Sequence, residues 1–188
     1  MSTGVLGGTF DPIHLGHLRA AEAVREALGL ERVLFVPAAE PPHRPEPVAS
    51  RLDRFAMVAL ATASHPDFVV SDLELRREGP SYSVDTLEAL AARTEGPLVL
   101  ILGSDALADL PGWHRVERVL ELARIAVLER PGRPSRAEAP TWQVERVAAP
   151  LLEVSSSEVR QRLRSGRGVR YLVADAVADY IAKRGLYT

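Results

Sequence analysis

Gly7-Gly8-Thr9 followed by His14-Leu15-Gly16-His17 is the part of this 188-residue chain whose residue types and spacing can do chemistry. The glycines come after Val5-Leu6, apolar enough to enter a buried strand, and the histidines open Leu18 to Leu28, a run rich in helix formers. A strand, a glycine-bearing turn and a helix N-terminus together offer unsatisfied backbone N–H groups and the positive end of a helix dipole, which favour a phosphate. Two histidines three residues apart at a helix start share one face and reach the same anion. Gly8 lets the backbone approach a phosphate closely, Thr9 adds a hydroxyl and an N–H, and Gly16 leaves room for a nucleotide ring or sugar. The segment points to nucleotide chemistry.

The elements that must position these residues alternate in type. Arg32 to Pro37 reads as a second buried strand, and a proline-rich loop, Pro41 to Pro47, follows it. Ser50 caps a helix in which Leu52, Phe55, Ala56, Ala59 and Leu60 form the apolar stripe. Phe68 to Leu75 is the third strand and Val84 to Arg93 the third helix. Pro97 to Leu102 is apolar on both faces, as a central parallel strand requires, and ends in Gly103-Ser104-Asp105. A helix from Arg115 to Ala123, a strand at Ile125 to Leu128 and a short strand at Thr141 to Val147 come next, the last beyond a polar linker at Arg130 to Pro140. Helices at Ser157 to Arg164 and Leu172 to Arg184, the latter closed by Gly185, complete the chain. The pattern predicts an α/β, three-layer, Rossmann-like parallel sheet with helices on both faces and a small C-terminal helical part at about 155–188. Residues 1–188 read as one domain. In such sheets ligands sit beyond the carboxyl ends of the strands, where Gly7-Gly8-Thr9, Pro37, Gly103-Ser104-Asp105 and Arg130 collect.

Composition excludes several classes. There is no cysteine, hence no disulfide, thiolate metal site or cysteine nucleophile. A net charge of -2 gives no basic excess for a nucleic-acid partner. No stretch approaches the roughly 18 apolar residues of a membrane span, and no leader is visible, so a cytoplasmic location is expected. Of 23 basic residues only Lys183 is a lysine; genome composition and heat adaptation explain this bias equally well. A homo-oligomer is compatible with the sequence.

Further residues carry weaker signals. Ser155-Ser156-Ser157 ahead of Glu158 reads as a helix cap, and Arg160 on the first turn of that helix makes the same place a phosphate clamp. Trp113 in a Pro-Gly turn is a packing residue or a stacking face. Asp105 at a strand end is a cap for the residues from Ala106 onward, or a ligand to a ribose hydroxyl or magnesium-bound water. His43 and Arg44 lie in a loop that either closes on phosphates or is simply solvated. His65 and His114 receive no catalytic assignment.

Five elements in order resemble the HxGH nucleotidyltransferases, and within them the bacterial nicotinate-nucleotide adenylyltransferases: Gly7 to His17, Pro41-Pro42-His43-Arg44, Pro80 to Leu87, Gly103 to His114, and Val154 to Arg160. The resemblance spans nearly the whole chain. It implies transfer of the adenylyl group of ATP to nicotinate mononucleotide, giving deamido-NAD and pyrophosphate. His17, His14 and Arg160 are then the catalytic residues. Gly7, Gly8, Thr9, Phe10, Gly16, His43, Arg44, Ser155, Ser156 and Ser157 would hold ATP and its phosphates, with Ser157 standing where the family usually has Thr. Ser83, Asp105 and Trp113 would hold the mononucleotide, Trp113 by stacking on the pyridine ring. Mg2+ arrives with ATP, with no protein ligand assigned. A related acceptor such as nicotinamide mononucleotide, or a non-catalytic nucleotide sensor that keeps the fold, are the alternatives.

Overall fold

A computed structural model describes residues 2–42, 45–129, 142–148 and 152–188. His43, Arg44, Arg130, the 130–140 linker and Thr141 lie outside the described residues. In chain order the elements are β1 (Thr3–Gly8), α1 (Leu15–Leu28), β2 (Arg32–Pro37), α2 (Arg51–Thr62), β3 (Phe68–Val70), α3 (Ser83–Ala91) and β4 (Leu98–Gly103). They continue with α4 (Ser104–Asp109), a 3-10 turn (Leu110–Gly112), α5 (Val116–Leu122), β5 (Ala123–Glu129), β6 (Val144–Ala148), α6 (Ser156–Arg164) and α7 (Asp175–Arg184).

The six strands form one parallel sheet in the order β3-β2-β1-β4-β5-β6. β1 is the pivot: it pairs with β2 from Thr3 opposite Arg32 to Gly8 opposite Pro37, and with β4 from Thr3 opposite Leu98 to Val5 opposite Leu100. The winding reverses at this strand, which opens a crevice beyond its carboxyl end. The strands are apolar on both faces because each face is covered. Leu6, Val33, Phe35, Val99 and Ile101 enter a core shared with α1, α2, α6 and α7. Val5, Val36, Leu98, Leu100 and Leu102 enter a second core under α3, α4 and α5. The expected three-layer α/β architecture is therefore present, and no helix of the described residues is long and apolar enough to cross a membrane.

Four expectations need correction. The inward face of α2 is not Leu52, Phe55, Ala56, Ala59 and Leu60. Leu52 is 68% exposed, and the buried residues are Asp53, Arg54, Met57, Val58, Ala61 and Thr62. Two charged residues stand within the true stripe, so a purely apolar reading turns the helix by about one position. β3 ends at Val70, not Leu75, because the Ser71 Oγ accepts the Leu73 N–H and turns the chain away. The last helix starts at Asp175, not Leu172; Tyr171 sits at φ 65 and the Leu172 carbonyl is taken by the Leu15 N–H. The last strand is Val144–Ala148, not Thr141 to Val147, because its pairing with β5 begins at Val144 opposite Ile125. Ser50 does cap α2, its Oγ accepting the Asp53 N–H at 3.1 Å, and Gly185 closes α7 at φ 61.

Candidate active site

The turn from Gly8 to His17 lies beyond the carboxyl end of β1. Phe10 takes the left-handed conformation, φ 49, and is buried at 3% exposure; the Asp11-Pro12 peptide is cis. His14 is the N-cap residue of α1 and His17 its third residue. Their rings stack at 3.7 Å, and Phe10 meets His17 edge-on at 5.1 Å. Gly16 leaves this stack undisturbed: a Cβ there would lie 3.0 Å from His14 Nδ1 and 3.0 Å from the Val154 side chain, and would press on both. On the side where a Cβ would project, His14 and Val154 are the nearest neighbours of Gly16.

Burial decides the protonation of both histidines. Desolvation pushes His14 down to about 4, and holds His17 well below its ordinary 6.5, with the nearby His14 adding to the effect. Both rings are neutral at pH 7. The His14 backbone N–H donates to His17 Nδ1 at 3.2 Å, which makes Nδ1 the acceptor and leaves the ring proton on Nε2. His17 thus offers a fixed N–H donor rather than a base.

α6 closes over the same turn. Ser155 caps it, accepting the Glu158 N–H at 3.1 Å. The Ser156 hydroxyl donates to the Pro12 carbonyl at 2.8 Å. Arg160 donates from Nη1 to the Asp11 carbonyl at 2.6 Å and from Nη2 to Ser157 Oγ at 3.2 Å. The structure so joins Gly7, Gly8, Thr9, Phe10, His14, Gly16, His17, Ser155, Ser156, Ser157 and Arg160 around one turn.

Asp11 and Arg54, to which the sequence pattern gives no role, hold that turn. The Asp11 carboxylate accepts the N–H groups of Val48 and Ala49 at 2.8 and 3.1 Å and the Tyr187 hydroxyl at 2.7 Å. Tyr187 is raised far above its ordinary value, by burial first and then by the bond to Asp11. Asp11 stands beside the histidine motif, but nothing in the pattern joins it to a tyrosine 176 positions away.

The other candidates stand on the opposite face of the sheet. Ser83 is the first residue of α3, half-buried; Trp113, half-buried, follows the 3-10 turn and packs on the second core; Asp105 is exposed on the first turn of α4, two residues past the N-cap Gly103. Ser81 ties this face to the loop after β2: its Oγ accepts the N–H groups of Ala39 and Glu40 at 2.9 and 3.1 Å. His114 lies 4.5 Å from the Tyr82 ring. His65 is structural, stacked on Phe68 at 3.8 Å with Nε2 3.2 Å from Glu22. Among the described residues no group of three or more His, Asp or Glu side chains is placed to hold a metal ion.

A parallel sheet reversing at β1, with neutral histidines and a capped, arginine-bearing helix around the glycine turn, is the framework of a nucleotidyltransferase. A family model described as cytidylyltransferase-like matches residues 5–162. The chain is similar to a probable nicotinate-nucleotide adenylyltransferase of Thermus thermophilus, 50% identical over the full length of both proteins. It is similar likewise to that of Roseiflexus sp., 49% identical over 98% of this chain and 96% of the relative. The nicotinic acid mononucleotide adenylyltransferase of Plasmodium falciparum, solved in complex with NaAD, shares the fold with a TM-score of 0.80 at 20% identity, over 99% and 97% of the two chains. This chain belongs to the cytidylyltransferase-like nucleotidyltransferases and, among them, to the nicotinate-nucleotide adenylyltransferases.

Proposed function

We propose that the protein transfers the adenylyl group of ATP to nicotinate mononucleotide, forming deamido-NAD and releasing pyrophosphate. The observation that carries this reading is the stacked, neutral His14–His17 pair at the carboxyl end of β1, with the His17 proton fixed on Nε2. An oxygen of the mononucleotide phosphate attacks the α-phosphorus of ATP in line; that P–O bond forms as the bond from the α-phosphorus to the bridging oxygen breaks, and the electron pair leaves with pyrophosphate. The attacking oxygen is already ionised, so no general base is required. The protein contributes position and electrostatics.

In this reading His17 donates its Nε2–H to the α-phosphate as charge builds, and His14 contacts the ATP phosphates. The backbone of Gly7, Gly8, Thr9 and Phe10 lines their path, with Gly16 at the helix start. Ser155, Ser156, Ser157 and Arg160 receive the departing pyrophosphate at the N-terminus of α6, and the resemblance assigns His43 and Arg44 to the same phosphates. Trp113 stacks on the pyridine ring, and Ser83 and Asp105 complete the acceptor side. Mg2+ would arrive as part of the ATP complex and would neutralise phosphate charge, with no side chain of the described residues assigned to hold it. Residues 1–188 act as a single nucleotidyltransferase domain, a reading supported by the reach of Tyr187 to Asp11. The substrates are those of cytoplasmic nucleotide metabolism, and no nucleic acid or membrane is involved.

The test is pyrophosphate release with ATP and either nicotinate or nicotinamide mononucleotide. Release with the nicotinate form is expected. Release with nicotinamide mononucleotide alone would overturn the acceptor, and release with neither would overturn the reading.

A further inference from the structure

Arg54 is the least exposed of the buried charged residues, at 1%. Its guanidinium gives every bond to main-chain carbonyls: Nη1 to Thr9 at 2.7 Å and Ala38 at 2.6 Å, Nη2 to Ala39 at 3.2 Å, and Nε to Ala49 at 3.3 Å. Burial lowers its basicity, while Asp11, Tyr187 and Glu74 favour its charge. Two of the bonded segments are tied to different parts of the site in the reading above. Thr9 belongs to the turn that faces ATP. Ala39 belongs to the loop after β2, and its N–H is held by Ser81, two residues before Ser83 on the acceptor side. The Ala39 residue is therefore fixed at both ends, by Ser81 at its N–H and by Arg54 at its carbonyl. The Ala38 N–H in turn donates to the Gly8 carbonyl at 2.9 Å.

We propose that Arg54 is a positioning residue that sets the spacing between the adenylate and acceptor half-sites, acting through the carbonyls of Thr9, Ala38 and Ala39. The inference rests on the adenylyl-transfer reading, because only a two-substrate in-line reaction makes that spacing matter. A planar fork reaches several carbonyls in fixed directions; a lysine ammonium carries the same charge from a single point and cannot. Reacting atoms must approach to about 3–3.5 Å, and a misplacement of about 1 Å costs on the order of 100-fold in rate.

Arg54→Lys is the test, with Ser81→Ala as its partner from the acceptor side. Each substrate alone should bind the folded Arg54→Lys protein within about threefold of wild type, measured by calorimetry. The kcat at saturation should fall about 10- to 100-fold, beyond any loss of folded fraction seen by circular dichroism. Ser81→Ala should lower kcat in the same direction, and the double variant should fall little further than Arg54→Lys alone, since both act on Ala39. The inference is overturned by a folded Arg54→Lys enzyme with wild-type kcat, or by single-substrate affinities that drop as far as kcat. If Arg54→Lys does not fold, wild-type kcat in Ser81→Ala overturns it. An inactive wild-type enzyme would refute the adenylyl-transfer reading itself; an active one with an insensitive Arg54 would refute this inference alone.

Discussion

Acidification from pH 7 to pH 5 should destabilise the fold by about 2 kcal/mol through His14 alone. The imidazole sits at about 4 in the folded protein and at 6.5 when released. A lowered folded value means that the unfolded chain binds the proton first, so this stability is complete above about pH 6.5 and is lost as pH falls toward 4. At pH 5 a free histidine is almost wholly protonated and the buried one only about a tenth so, a difference of roughly 30-fold in the unfolding equilibrium. His17, also lowered by burial, adds in the same direction, and with the rings 3.7 Å apart the second proton is harder to place than the first. Two carboxylates with strong bonds, Asp53 and Glu22, contribute little in this window. Asp53 and Glu22 are lowered by their hydrogen bonds to Ser50 and Arg25, so their stability is lost only at lower pH. Urea midpoints at pH 7, 6 and 5 should fall steadily at constant slope. His14→Asn, which keeps an N-cap-competent side chain, should flatten the trend. Midpoints that do not move, or a His14 ring titrating near 6.5 by NMR in the folded protein, would refute the reasoning.

His17→Ala should lower kcat by about two orders of magnitude or more with an unchanged circular dichroism spectrum, since it removes the fixed Nε2–H donor. Trp113→Ala should raise KM for the mononucleotide more than KM for ATP; equal changes would contradict stacking on the acceptor. Tyr187→Phe keeps a buried ring and removes only the donor to Asp11, so it should cost about 1.5–3 kcal/mol, read as a fall in Tm by calorimetry.

The sheet and the histidine turn are legible in the sequence because their signals are local. β4 announces itself as a run apolar on both faces, and the histidines fall three apart beside a glycine turn. The Ser155 cap is legible for the same reason: its partner is three residues away. What the sequence hides is what depends on distance. Arg54 falls outside the apolar stripe read for its helix, and its place inside the protein follows only from carbonyls contributed by other segments. The same blindness turns the α2 stripe toward Leu52 and Leu60, since the sequence offers no means of pairing a buried arginine with its acceptors. Ser81 and Tyr187 are hidden likewise, their partners lying 42 and 176 positions away.

Legible and hidden residues converge on one function. Arg54, Ser156, Arg160 and Tyr187 all bond to the turn between β1 and α1, through its carbonyls or the Asp11 carboxylate. A reaction whose nucleophile is already ionised gains little from a titrating side chain and much from donors that do not move as charge develops. Phe10 in a left-handed conformation costs folding free energy that a free turn would relax, and the buried histidines add a cost as pH falls below about 6.5. The surrounding buried bonds over-determine the turn and keep it in that state. Rigidity of the donors, rather than their acidity, is what this arrangement supplies.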